Sequence, residues 1–137
     1  MKEAKKRQLT HSEKRAQLHE LGKLMEKISG ENTVIFVEGK KDEAAIAPYV
    51  RGTIIQVSGR VRGACEKAAK TGAREVIVLT DRDSAGEELS EFVRKELEFN
   101  GIKADLETRK KLFAILRMGP LENFRKKYEE KMEELAE

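Results

Sequence analysis

The chain has 137 residues, a single cysteine, and 28 Lys and Arg against 25 Asp and Glu, for a formal net charge of +3. That length fits one domain with one modest core, and a lone thiol excludes both an intramolecular disulfide and a cysteine-built zinc site. The mild basic excess admits an anionic partner without demanding one, and no apolar run approaches bilayer-spanning length, so the expectation is a cytoplasmic protein with no membrane partner.

Lys2 to Arg7 form a short basic run that reads as a solvated chain end rather than a binding arm, and no apolar stretch follows it to make a secretory signal. From about Ser12 to Ile28, Leu18, Leu21, Leu24, Met25 and Ile28 recur at helical spacing, and Ser29-Gly30 supplies the stop. Three apolar, β-rich runs follow: Thr33 to Val37, Thr53 to Val57 and Glu75 to Thr80. Helical stretches come after each of them, from Lys41 to Val50, from about Val61 to Thr71, and from Ala85 to Phe99. Ala104 to Glu107 reads as a fourth, weaker strand at an edge. Leu112 to Leu116 fits strand or helix, and Gly119-Pro120 marks a break. Leu121 to Ala136 reads as a charged helix with Leu121, Phe124 and Tyr128 on one face.

Continuous apolar strands alternating with helices predict an α/β fold, with a mostly parallel sheet of about four strands and helices on both faces. The expected division is an N-terminal helical extension over 1–30, the sheet domain over 31–110, and a C-terminal helical extension over 111–137. Right-handed crossovers gather the C-terminal ends of the strands at one edge, and ligands bind at that edge in such sheets.

Three carboxylates fall there. Glu38 follows the first strand directly, and Asp81 and Asp83 follow the third. Carboxylates held close together repel one another, and a hard divalent cation with oxygen ligands relieves the repulsion. Each has an ordinary alternative: Asp83 can cap the next helix, and Glu38 can pair with Lys40 or Lys41. Asp42 either adds a carboxylate to the edge or sits in a first helical turn that favours its charge. Lys40, Lys41, Ser58, Arg60, Arg62 and Arg82 flank the strand tips and could hold phosphates, or form a solvated rim. His11 and His19 lie away from this edge and are not expected in catalysis, and Cys65 reads as a small core residue.

Two segments carry a resemblance. Val34-Ile35-Phe36-Val37-Glu38-Gly39-Lys40-Lys41-Asp42-Glu43-Ala44-Ala45-Ile46 resembles the first motif of the Toprim family, an apolar strand, then Glu-Gly, then a helix. Val76-Ile77-Val78-Leu79-Thr80-Asp81-Arg82-Asp83-Ser84-Ala85-Gly86-Glu87 resembles the second, in which Asp-x-Asp, Gly and Glu follow a strand in order. The likeness spans roughly Thr33 to Glu107 and is nearest to small stand-alone Toprim proteins, with related domains in ribonuclease M5, primases and topoisomerases. It implies Asp81 and Asp83 as Mg²⁺ ligands, with Mn²⁺ as a substitute. It implies Glu38 as general acid/base or a further ligand, and Gly39 as the point where a phosphate approaches the backbone.

The departures narrow the reading. The type IA topoisomerase acid two positions beyond Asp-x-Asp is Ala85 here, and the chain has no room for a strand-passage domain with its nucleophilic tyrosine. Tyr49 and Tyr128 read as packing or surface residues. A primase zinc region cannot be built on one cysteine. The expectation is a Mg²⁺-dependent protein acting on RNA or DNA phosphodiesters, foremost an RNA-processing nuclease. Its alternative is a nucleic-acid-binding module whose chemistry a protein partner completes. An ordinary nucleotide-binding domain is disfavoured, since no Gly-rich phosphate loop follows the first strand.

Overall fold

The computed structural model describes residues 8–137, so the basic run Lys2 to Arg7 lies outside the described residues. The runs rich in β-branched residues pair as β1 (Val34–Val37), β2 (Thr53–Gln56) and β3 (Glu75–Leu79), joined by the short β4 (Lys103–Asp105). All neighbours are parallel, in the order β2-β1-β3-β4. β1 is therefore central, and all four of its residues are buried. Among the described residues six α-helices accompany the sheet: α1 (His11–Ile28), α2 (Lys40–Ile46), α3 (Val61–Lys70), α4 (Ser84–Phe99), α5 (Glu107–Ile115) and α6 (Phe124–Ala136).

The two-residue period of a strand sends alternate side chains into two cores. Ile35, Val37, Ile77 and Leu79 pack with residues of α1, α2, α5 and α6, whereas Val34, Phe36, Val76 and Val78 pack with α3 and α4. This is the expected α/β sheet with helices on both faces.

Local chemistry sets the boundaries. Thr10 and Glu13 form a reciprocal capping box at the start of α1, with hydrogen bonds of 2.9 and 3.1 Å. Of the apolar stripe on α1, Leu21, Leu24 and Ile28 are buried while Leu18 is exposed. The helix after β1 is shorter than its pattern: α2 stops at Ile46 and becomes a 3-10 turn over Ala47–Tyr49, where Pro48 has no amide to continue the ladder. The ambiguous stretch around Leu112 is helix, ending in a left-handed Arg117 (φ 52°) with Met118 N–H bonded to Phe113 O at 2.9 Å.

The C-terminal segment is part of the core. Leu121, Phe124 and Leu135 are buried beside Leu21, Leu24 and Ile46. Tyr49, Phe124 and Tyr128 form a cluster with ring centroids 4.9, 5.5 and 5.7 Å apart, which ties α6 to the turn after α2. Burying a side chain such as Phe124 contributes about 1.5–3 kcal/mol. Among the described residues no helix is long and apolar enough to cross a membrane.

Candidate functional site

Val37 lies opposite Leu79 in the β1–β3 register, so the residues that follow these strands leave the sheet side by side. Glu38 reaches across this gap: its Oε2 accepts the Asp81 N–H at 2.6 Å. Asp81 in turn accepts the Leu121 N–H through Oδ1 at 2.8 Å, and Asp83 caps α4 by accepting the Gly86 N–H at 2.7 Å. Asp42 sits at N3 of α2 and accepts the Gly39 N–H at 3.1 Å. Four carboxylates at one edge are thus each anchored through one oxygen to a main-chain amide. The other oxygen of each makes no hydrogen bond to protein among the described residues.

The electrostatics follow from this crowding. Burial pushes the Glu38 carboxyl above the usual range; the Asp81 amide opposes that shift, and the charges of Asp81, Asp42 and Asp83 add to it. Asp42 is raised likewise by burial and by the Asp81 and Glu122 charges, against the pull of the Gly39 amide. The edge therefore carries more negative charge than its hydrogen bonds relieve.

The loop bearing Asp81 and Asp83 is held from beneath by a residue the sequence concealed. Arg109 of α5 is only 2% exposed. Its Nε donates to Thr80 O at 2.6 Å, and one Nη donates to Asp81 O at 2.6 Å. Both Nη groups also bond Glu87, at 3.2 and 3.0 Å. The Arg109 bonds hold the Glu87 carboxyl below its usual range against desolvation, and the Arg109 and Arg82 charges lower it further. The available signal was position: Arg109 shares a helical face with Leu112 and Phe113, three and four residues on, where an apolar residue belongs.

Gly86 presses on the same loop. A Cβ there would lie 1.9 Å from Asp81 O, so this glycine exists for close packing of α4 against the loop. At Gly39 an added Cβ would meet nothing within 4 Å, so no packing demand explains that glycine. From the C-terminal side, Gly119 O accepts the Arg82 N–H at 3.2 Å.

The basic candidates surround this edge. Lys40 and Lys41 are exposed in the first turn of α2, and Ser58 and Arg60 are exposed after β2, with Ser58 N–H bonded to Glu38 O at 3.0 Å. Lys40, Lys41 and Arg60 make no salt bridge among the described residues, whereas Arg82 lies 3.3 Å from Glu87. Arg62 sits on α3 beside Glu96 at 3.8 Å. His11 and His19 lie on α1, and neither hydrogen-bonds any of the four carboxylates among the described residues. Cys65 is fully buried, and burial followed by the Glu96 charge pushes its thiol up to about 11, which leaves it unreactive.

Among the described residues, no group of three or more His, Cys, Asp or Glu side chains is drawn together tightly enough to hold a metal ion. The donor set nevertheless fits a hard divalent cation: oxygen ligands only, a free oxygen on each carboxylate, and a surplus of negative charge at Glu38 and Asp42. Asp81, Asp83 and Glu38 are the residues that would hold it.

Comparison with known proteins bears on this edge. The sequence model described as the Toprim domain matches residues 33–115. A UPF0292 protein of Pyrococcus abyssi is 37% identical over 90 residues, which is 65% of this chain and 67% of that protein. A UPF0292 protein of Methanocaldococcus jannaschii is 30% identical over 95 residues, 68% of this chain and 74% of its own length. A solved structure of a protein from Aquifex aeolicus superposes with a TM-score of 0.60 over 80% of this chain and 95% of that one, at 24% identity, a likeness of fold alone.

Proposed function

The chain belongs to the Toprim domain family, and from that membership we propose that it is a Mg²⁺-dependent nuclease acting on nucleic-acid phosphodiesters, with structured RNA as its principal substrate. Toprim domains generally bind Mg²⁺ and serve nucleic-acid functions. The observation that carries the proposal is the 2.6 Å bond from Asp81 N–H to Glu38, which joins the two motif-bearing strand tips at one edge.

A bound divalent cation would supply charge neutralisation at the phosphoryl and leaving oxygens. Asp81 and Asp83 would hold it, with Glu38 beside them. Burial and neighbouring charge raise the Glu38 carboxyl and so ease its protonation, and Glu38 takes the general acid/base role. Gly39 leaves space for a phosphate, while Lys40, Lys41, Ser58, Arg60 and Arg82 position the flanking phosphates.

Cleavage of labelled RNA and DNA with Mg²⁺ or Mn²⁺, against EDTA, tests this. The expected result is metal-dependent cleavage, abolished in Asp81→Asn/Asp83→Asn together with Mn²⁺ binding by calorimetry. A second reading is favoured by the anchoring of all four carboxylates to main-chain amides. On that reading the edge binds nucleic acid and a protein partner completes the chemistry. Glu38→Gln separates the two: a rate loss of about 10²- to 10⁴-fold at unchanged nucleic-acid affinity supports catalysis. Wild-type binding without any metal-dependent cleavage supports the module.

A further inference from the structure

Large apolar side chains are seldom left open on a surface in clusters, and such clusters mark interaction sites. Among the described residues three are exposed, Leu18, Phe92 and Phe99, and two of these lie on α4. Phe92 is 45% and Phe99 89% exposed. Seven residues apart, they stand on one face about 10 Å along the axis. The same face carries Ala85 and Glu88 toward the start of the helix and Lys95 between the two rings. Beside Phe99 a groove of about 560 Å³ is lined by Arg62, Glu66, Lys95, Glu96 and Asn100.

The charges on this face say what covers it. Arg94 is bound to Glu91 and Glu98, and Glu96 is drawn by Arg62 at 3.8 Å. Glu88 and Lys95 are the remaining pair: neither makes a salt bridge among the described residues, and Lys95 acts on Glu91 only through its field. They flank Phe92 on opposite sides, one acidic and one basic. A face of that design is complementary to itself in the antiparallel sense, which is the requirement of a two-fold interface.

We propose that α4 is the interface of a homodimer, its occupant being the α4 of a second copy packed antiparallel about Phe92. In that arrangement Phe99 covers the small Ala85 of the partner subunit, and Lys95 meets the partner's Glu88. Phe99 is matched with a small residue, Phe92 meets its own copy on the two-fold axis, and Glu88 and Lys95 each meet the opposite charge. The inference rests on the exposed face alone and is independent of the proposed nuclease activity.

Sedimentation or light scattering of the full chain across a concentration series tests it, with circular dichroism to confirm folding. The wild type is expected at twice 15.6 kDa. Phe99→Glu should weaken dimerisation on the order of 30-fold or more, since a buried aromatic anchor carries much of an interface. Its ring is open to solvent in the single chain, so the fold should be unaffected. Lys95→Glu alone should weaken the dimer about tenfold through like-charge contact, and adding Glu88→Lys should restore it. A monomer at every concentration, a dimer indifferent to Phe99→Glu, or no rescue by the double reversal would each overturn the proposal.

Discussion

Arg109 holds the loop of the candidate site through two backbone carbonyls and one carboxylate. Replacing it with Met keeps volume but leaves Thr80 O and Asp81 O without their donor. Buried carbonyls stripped of partners cost about 1–3 kcal/mol each, so Arg109→Met should destabilise the chain by roughly 3 kcal/mol in chemical denaturation. It should also loosen Asp81 and weaken Mn²⁺ binding; unchanged stability and Mn²⁺ affinity would refute a bracing role. Glu38 yields a prediction in pH. Its carboxyl is raised in the folded chain, so the protonated form favours folding below the unfolded pKa, and that contribution fades as pH rises through the folded value. In EDTA, the melting temperature of Glu38→Gln relative to wild type should therefore climb as pH rises from the ordinary carboxylate range through the raised folded value. Saturating Mn²⁺ should stabilise the wild type and shrink the gap. A gap that stays flat with pH in EDTA would contradict the burial and charge argument.

At the scale of elements, the join between α4 and the Asp81 loop is a close contact with no slack. Gly86→Ala would drive a methyl against Asp81 O, backbone against backbone, so α4 or the loop must shift. The expected outcome is a loss of about 1–3 kcal/mol and weaker Mn²⁺ binding, read by denaturation and calorimetry. Much of this scaffold was legible beforehand. β1 and β3 announce themselves because buried parallel strands read as unbroken apolar runs, the edge strand β2 shows through its β-branched residues, and Glu38, Asp81 and Asp83 are conspicuous because they follow the β1 and β3 runs. β4 is short and half polar, and it came out one residue earlier than Ala104. α5 was ambiguous because a nine-residue helix that buries Thr108 and Arg109 shows no clean amphipathic period. Two devices were hidden, the first behind a faint signal of position and the second completely. Arg109 stands beside Lys110 and Lys111 and passes for a solvated charge. The Leu121 amide on Asp81 is a main-chain group, which leaves no mark in the sequence.

Over the whole molecule, charge is nearly balanced, so any grip on a polyanion depends on where the cations stand rather than on their number. Lys40 and Arg60 at the carboxylate edge are exposed, and Arg82 lies beside Glu87. Each phosphate contact releases counterions, so RNA affinity should fall steeply with salt. Removing Lys40, Arg60 and Arg82 together should flatten the log–log slope by roughly two to three. A slope unchanged in fluorescence anisotropy titrations would move the contact elsewhere. The hydrogen bond from Leu121 to Asp81 has a consequence in time. The two residues are separated by 40 positions, so during synthesis the Asp-x-Asp loop emerges well before the amide that fixes its first carboxylate. A nascent chain carries both motifs while the edge is still unfinished. Its capacity for cation binding should mature only as the Gly119–Leu121 turn docks, which makes the emergence of that turn the step that completes the site.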